Sequence, residues 1–302
     1  MPKWKKIGKI FEPSKEKFWL SSHASVPIAE KIEKDHLRIY FSSRDQYQRS
    51  YTGYLVININ RPNEILEISE KPILEPGNLG EFDDSGAMAS WITEEENNCR
   101  FLYYIGWNLS VTVPFRNSIG LAISKNNGPF IKYSKGPILD RSAQEPHFCA
   151  SSCVIKEKNS WKMWYLSCTG WEIYSNKPRH NYHIKYAESD DGINWVRNSY
   201  IAINYKDDNE YAISRPSVVK DQDIWRMWFS CRGTKYKIGY AESIDGKDWI
   251  RKDKNAGIDV SESGWDSEMI EYPFVFDNEG SRYMLYNGNQ YGKTGFGIAV
   301  FE

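Results

Sequence analysis

Apolar residues recur along the whole chain in short alternating runs, and no stretch sustains a 3.6-residue period, so the pattern predicts strands throughout. Two segments match at length. Trp161-Lys162-Met163-Trp164-Tyr165 and Trp225-Arg226-Met227-Trp228-Phe229 each lead, after a polar loop, to a second shared run. That run is Ile184-Lys185-Tyr186-Ala187-Glu188-Ser189-Asp190-Asp191-Gly192-Ile193-Asn194-Trp195 in one and Ile238-Gly239-Tyr240-Ala241-Glu242-Ser243-Ile244-Asp245-Gly246-Lys247-Asp248-Trp249 in the other. Weaker copies are Leu37-Arg38-Ile39-Tyr40-Phe41, Arg100-Phe101-Leu102-Tyr103-Tyr104 and Arg282-Tyr283-Met284-Leu285-Tyr286. Anchored on Ile39, Leu102, Met163, Met227 and Met284, the steps are 63, 61, 64 and 57 residues, so five similar units fill the chain.

Each unit reads as four antiparallel strands. A short apolar run, such as Val26-Pro27-Ile28-Ala29 or Pro216-Ser217-Val218-Val219, precedes the anchor across a polar turn such as Lys220-Asp221-Gln222-Asp223. The Ile-x-Tyr-Ala strand, a Ser-x-Asp-Gly turn and a strand opening on Trp follow. Repeated four-stranded units arranged radially make a β-propeller. The expectation is an all-β, five-bladed propeller in a single domain, with blades near 18–70, 83–140, 145–204, 210–260 and 268–302. The last unit lacks a fourth strand, and Trp4-Lys5-Lys6-Ile7 resembles Trp249-Ile250-Arg251-Lys252, so residues 3–10 are expected to complete it and close the ring. Ser189-x-Asp191-Gly192-x-x-Trp195 is one residue shorter than the sialidase Asp-box; it and the copy from Ser243 to Trp249 read as structural turns.

Composition narrows the function. A net charge of -1 removes the broad basic footprint of a nucleic-acid binder. No apolar window is long enough to cross a membrane, and no signal sequence follows the Lys-rich start, so a cytoplasmic protein without a membrane partner is expected. The 5 Cys form no CxxC pair, which predicts reduced, mostly buried thiols and no zinc site. Aromatics reach 15%, with 12 Trp and 20 Tyr, a content that suits both β structure and a site stacking on flat ligands.

The five units, the Met-Trp-Tyr anchor and the Tyr-Ala-x-Ser-x-Asp-Gly-x-x-Trp turn resemble the five-bladed glycoside hydrolase superfamily, families 32, 43, 62, 68, 117 and 130 among them. The resemblance spans nearly the whole chain and bears on architecture more than on activity. It implies glycosyl cleavage or transfer in a funnel at one end of the axis, with no organic cofactor and no metal predicted by any ligand cluster. Catalytic carboxylates would stand at the starts of innermost strands, an acid for the leaving oxygen and a partner for water or direct attack. Gln144-Glu145-Pro146 resembles the family's Arg-Asp-Pro element, which makes Glu145 a transition-state stabiliser. Glu271, in Glu-x-Pro, resembles the family's acid motif, although the family carries its acid in blade four, where this chain has Ser214-Arg215-Pro216. Glu210 lies just upstream of that segment. Phe82-Asp83-Asp84-Ser85-Gly86 offers Asp84 as a catalytic group and Asp83 as a binding one. Blade one lacks the family's Asp and has His23 in its place, able to act as acid or base or to line the pocket.

Arg44, Arg116, Arg215 and Arg232 all flank strands that reach the axis, and a set of guanidinium groups suits a carboxylate or phosphate on the substrate. The alternative is pairing of Arg44 or Arg232 with rim acids. Trp107, Trp171 and Tyr291, beside glycines, are candidate sugar platforms, with Asp45, His147, Glu268 and Asn289 completing the expected binding set. The long loop after Trp171, with Arg179 and His180, would wall the funnel. Trp161, Trp164, Trp195, Trp225, Trp228 and Trp249 recur at repeat positions and are blade core. The expected ligand is a carbohydrate, a sugar phosphate or a nucleotide sugar. The alternative reading is a non-hydrolytic carbohydrate-binding or polysaccharide-biosynthesis accessory propeller. Oligomeric state is not legible.

Overall fold

The computed structural model describes residues 3–95, 98–158 and 160–302. It is all-β: strand β1 (Trp4–Phe11) is followed by β2 (Ser22–Lys31), β3 (His36–Arg44), β4 (Ser50–Asn58) and β5 (Arg61–Ile68), which form unit 1. Unit 2 holds β6 (Gly86–Glu95), β7 (Cys99–Leu109), β8 (Phe115–Lys125) and β9 (Ile131–Lys132). Unit 3 holds β10 (Cys149–Glu157), β11 (Ser160–Tyr174), β12 (Lys177–Ser189) and β13 (Val196–Ile203). Unit 4 holds β14 (Ala212–Asp221), β15 (Ile224–Arg232), β16 (Tyr236–Ser243) and β17 (Ile250–Arg251). Unit 5 holds β18 (Glu271–Asn278), β19 (Ser281–Asn287) and β20 (Phe296–Phe301), and β1 pairs antiparallel with β20 as its fourth strand.

Within every unit the pairing is antiparallel; single parallel bridges, Ser50 to Gly86 and Tyr182 to Ala212, join unit 1 to unit 2 and unit 3 to unit 4. The first strands of the units pack side by side in order, β2 on β6, β6 on β10, β10 on β14, β14 on β18, and β18 back on β2. Side chains stitch these strands together. Asn287 accepts from the Val26 amide at 2.9 Å, Thr52 from the Ala89 amide at 2.8 Å, and Ser230 from the Tyr272 amide at 2.8 Å.

The repeat has a physical basis at one register. Phe41, Tyr104, Tyr165, Phe229 and Tyr286 on the second strands face Gly53, Gly120, Lys185, Gly239 and Gly297 on the third. Glycine is required where a ring lies flat on the neighbouring backbone: a Cβ on Gly120 would stand 2.2 Å from the Tyr104 ring, and one on Gly239 2.5 Å from that of Phe229.

The Ser-x-Asp-Gly turns are structural, as their sequence suggests. Ser189 accepts the Gly192 amide at 2.9 Å, while Asp191 accepts the Ile193 and Asn194 amides at 2.8 and 2.7 Å. These bonds outweigh the cost of partial burial and hold the Asp191 carboxyl down to about 2. Each turn docks on the preceding unit: Tyr103 donates to the Gly192 carbonyl at 2.9 Å, and the Trp164 indole to that of Gly246 at 2.8 Å.

Candidate active site

Every first strand is irregular just after its start, with register shifts at Ser22/Ser25, Ala89/Trp91, Ala150/Cys153, Ser214/Ser217 and Glu271/Phe274. Ser151, Arg215 and Tyr272 have positive φ at these bulges, 47°, 52° and 55°, as do His23 at 63° and, at a second shift Ser25/Ile28 of β2, Val26 at 56°; Val26, Arg215 and Tyr272 precede Pro27, Pro216 and Pro273. Bulges re-aim side chains, and here they bring residues of separate units into contact. Arg215 shows the convergence directly: from unit 4 it donates to the carbonyl oxygens of Ser90 in unit 2 and, at 3.3 Å, Pro27 in unit 1.

At the end of the axis where these strands begin, Glu271 is 0% exposed and neither carboxyl oxygen has a hydrogen-bond partner. Burial pushes its pKa well above the ordinary carboxylate range, with the charge of Arg232 and then the nearby Tyr291 amide opposing, so the group holds its proton. The Arg232 guanidinium lies over three rings, Tyr236 at 5.3 Å, Tyr211 at 5.5 Å and Tyr291 at 5.8 Å. Tyr236 packs on Tyr272 and on Tyr291, both at 6.1 Å, and shares a hydrogen bond with Tyr182. Tyr182 stacks on His180 at 4.9 Å, and Trp171 meets His180 edge-on at 5.2 Å. From unit 1, Arg44 acts electrostatically on both Tyr272 and His23. Burial, with Arg44 and Lys293 nearby, lowers His23 to about 4, so its imidazole is neutral near pH 7; its Nδ1 lies 3.1 Å from the Ser22 hydroxyl. Burial therefore favours the neutral form of both groups, the carboxyl of Glu271 and the imidazole of His23.

None of Arg44, Arg116, Arg215 and Arg232 has a carboxylate within ion-pair distance among the described residues. The rim-acid alternative is not what the structure has. Asp45 is taken by Arg49 at 2.9 Å and by the Tyr47 and Arg49 amides. Arg44 is half-buried, and burial depresses its pKa. Arg44 and Arg232 thus carry guanidinium charges without a carboxylate ion-pair partner among the described residues.

Other sequence candidates stand elsewhere. Glu145 is 6% exposed inside unit 3: Tyr165 donates to it at 2.9 and 3.1 Å and Ser167 at 2.8 Å, with Lys185 at 3.6 Å and Arg197 at 3.9 Å. Asp83 in unit 2 takes Tyr104 at 3.0 Å and Lys132 at 2.6 Å. Asp266 in unit 5 takes Tyr286 at 3.1 Å and Lys6 at 2.7 Å. Glu210 in unit 4 takes Arg251 at 2.5 and 3.0 Å, and that guanidinium lies 5.1 Å over the Phe229 ring. These four carboxylates repeat one arrangement, tying the loop ahead of a unit to its outer strands beside the ring-on-backbone register. The catalytic expectation for Glu145 and Glu210, and the binding one for Asp83, thus give way to ion pairs satisfied within the sheet.

Asp84 closes its own turn, accepting from the Gly80 amide and the Ser85 hydroxyl, each at 3.0 Å. Asn289 is occupied by the Glu268 and Met269 amides at 2.8 and 3.2 Å, and Glu268 is an exposed side chain 3.9 Å from Lys235. Arg116 is exposed on β8 opposite Asn108. The Trp107 indole covers the Gly86 backbone, where a Cβ would lie 2.1 Å from it. His147 is half-buried near Gly170, and Arg215 is 0% exposed, bonded to the carbonyls of Ser90 and Pro27. Of the catalytic candidates, only Glu271 and His23 join Arg44, Arg232, Tyr291 and Trp171 in one cluster. Tyr182, Tyr236 and Tyr272 were not singled out from the sequence. Tyr182 and Tyr236 share a signal that marks them, since each sits three residues before the Lys185 or Gly239 register. Tyr272 carries the X-Pro signal.

Two surface clefts lie away from this cluster, about 500 Å³ beside Trp4 and residues 257–263, and about 550 Å³ between residues 73–83 and 130–135, partly walled by the Asp83–Lys132 pair. Among the described residues no group of three or more His, Cys, Asp or Glu is placed to hold a metal.

No protein-family profile matches the sequence. Two Mycobacterium tuberculosis proteins, the uncharacterized proteins MT1551 and Rv1502, are each 44% identical over 299 residues, 99% of both chains. Among solved structures, BT0996 in its RGII complex superposes with a TM-score of 0.75 at 15% identity, covering 99% of this chain and 91% of that one. A glycoside hydrolase matches at 0.75 and 16%, covering 98% and 90%. A structure from the GH130 family of mannoside phosphorylases, described with hydrolases that target β-1,2 mannosidic linkages in Candida mannan, matches at 0.72 and 15%, covering 98% and 93%. Identities this low carry the fold and not the chemistry.

Proposed function

The chain belongs to one family with the mycobacterial proteins Rv1502 and MT1551 and has the propeller fold of glycoside hydrolases, and from that premise we propose that it cleaves or transfers a glycosyl unit bearing a carboxylate or phosphate. The observation that carries the reading is Glu271, a buried carboxyl that no side chain hydrogen-bonds and whose neutral form burial favours, beside an Arg232 that has no carboxylate of its own. Glu271 gives its proton to the departing glycosidic oxygen. Nε2 of His23 takes a proton from the attacking water or acceptor hydroxyl, whose oxygen forms the new bond at the anomeric carbon as the old one breaks. Arg44 and Arg232 hold the substrate's anionic group, and Tyr291, 37% exposed, with Trp171 offers flat faces to the sugar.

In this reading the five units are blades of one ring, with boundaries near 18–70, 83–140, 145–204, 210–260 and 268–302, closed by β1. The cyclic packing of the first strands and the β1–β20 pairing support it. The unpaired thiols of Cys99, Cys149, Cys153, Cys168 and Cys231 favour a reducing, cytoplasmic setting.

The test is a panel of aryl glycosides, uronides and sugar phosphates, with turnover and binding measured on the wild type, Glu271→Gln and His23→Ala. Turnover lost with binding kept in Glu271→Gln supports the assignment. Binding of anionic sugars by a wild type that turns over none of them makes the protein a carbohydrate-binding propeller instead.

A further inference from the structure

Arg215 sits in a place that ordinary electrostatics disfavours. It leaves β14 at a bulge with φ of 52° and is 0% exposed. Its Nη1 donates to the Ser90 carbonyl and lies 3.4 Å from the Ser90 hydroxyl; its Nη2 donates to the Pro27 carbonyl at 3.3 Å. Its Nε has no partner. The two titratable groups that act on it electrostatically are Cys153 and Tyr272, and burial keeps both protonated. The guanidinium is therefore a full positive charge in the protein interior facing only neutral dipoles, and burial lowers its pKa to about 9.

Further polar atoms of the same strands are unsatisfied. The hydroxyls of Ser214, adjacent on β14, and Ser152, on β10, are buried without partners. Ser152 is tied into the same network, because Ser90 donates from its hydroxyl to the Ser152 carbonyl at 3.0 Å. Three residues of the packed first strands thus carry buried, unused donors, the Arg215 Nε–H and the hydroxyls of Ser152 and Ser214, and no carboxylate pairs with the guanidinium among the described residues. Donors without acceptors around a cation describe an anion site. A single charge balances the guanidinium, whereas a multivalent anion brings a larger desolvation cost and an uncompensated charge.

We infer that the packed first strands hold a small monovalent inorganic anion of the halide class against Arg215, with Arg215 Nε and the Ser152 and Ser214 hydroxyls as its donors. The site needs no sugar and is read out by unfolding rather than by turnover, so its failure and that of the glycosyl-transfer reading are distinguishable, although Tyr272 borders both. Its role is to neutralise the charge that binds unit 4 to units 1 and 2, making the core of the fold halide-dependent.

The experiment is thermal unfolding of the full chain in sodium chloride against sodium gluconate at equal ionic strength. A saturable rise in Tm of about 3 to 5 °C in chloride is expected at concentrations far above the dissociation constant. Arg215→Met should melt at one temperature in both salts. Crystals grown in bromide should show an anomalous peak within hydrogen-bond distance of Arg215 Nε. Coincident wild-type melts in the two salts, an equal chloride response in Arg215→Met, or bromide only at the surface overturns the inference. Should Arg215→Met fail to fold, Ser152→Ala and Ser214→Ala serve. A several-fold rise in the chloride concentration of half-effect in either supports the site, and an unchanged value in both rejects it.

Discussion

Glu145 separates the two ways of reading this chain. Its carboxylate accepts from Tyr165 and Ser167, and Lys185 and Arg197 stand at 3.6 and 3.9 Å with side chains 10% and 17% exposed. Glu145→Ala takes the counter-charge from two cations, of which Arg197 keeps only the Asp140 carbonyl, and the acceptor from a buried phenol. Removing one partner of a buried pair costs about 3 to 5 kcal/mol, because the charge left behind stays desolvated. For a chain of 302 residues that is a fall in Tm of roughly 5 to 8 °C. Glu145→Gln keeps an acceptor for Tyr165 and Ser167 but not the charge, so its loss should be about half as large. Differential scanning calorimetry of both variants, with ligand binding measured well below the transition, decides the matter. The expected result is graded destabilisation, Ala worse than Gln, with binding retained at low temperature. If Glu145→Ala melts within about 2 °C of wild type while turnover disappears, the carboxylate is catalytic and the structural account is wrong.

Glu271 should behave in the opposite way. Its folded pKa lies above the unfolded value, so its contribution to stability is fully present in acid and is lost as pH rises through the folded pKa; Glu271→Gln lacks this loss, and its Tm advantage over wild type should widen between pH 5 and 9. Tm curves that run parallel over that range would show a carboxyl already ionised and satisfied. His23, His180 and His183 are all lowered to about 4, chiefly by burial, so the unfolded chain takes up protons first and stability should decline as pH falls from about 6.5 toward 4. Proton uptake on unfolding at pH 5.5, measured by calorimetry in buffers of different ionisation enthalpy, should fall in His183→Asn. Arg232→Ala should weaken an anionic sugar about 10-fold or more while leaving a neutral analogue within about 3-fold by titration calorimetry, and equal losses for both would remove the anion-binding role. Gly120→Ala places a methyl 2.2 Å from the Tyr104 ring and should cost about 1 to 3 kcal/mol by urea unfolding.

How much could be read in advance differs between fold and site. The repeat was legible because each unit must bury the same surfaces against its neighbours: Trp161 and Trp225 recur, as do Gly192 and Gly246, since both turns dock on the preceding unit through the same carbonyl. Period-two alternation fixed the strands, and the likeness of Trp4-Lys5-Lys6 to a later outer strand pointed to the β1–β20 pairing. His23, Arg44, Arg232 and Glu271 were also within reach, because residues flanking the first strands of successive units must converge if the units are radial.

Which acids are left without a side-chain partner was not legible. Glu145, Glu210 and Asp83 precede first strands as plausibly as Glu271 does, and local sequence looks alike for all of them. The difference lies in partners distant in sequence: Lys132 comes 49 residues after Asp83 and Arg251 41 after Glu210, whereas nothing comparable reaches Glu271. The fate of the arginines was hidden for the same reason, since Arg215 ends on carbonyls 125 and 188 residues away and Arg232 among tyrosines of units 4 and 5. Periodicity is a local property that every residue in a run votes for, so the chain by itself determined its strands and their repetition. Protonation and free valence depend on which side chains fill the last few ångströms around a group, and only the packed tertiary structure decides that.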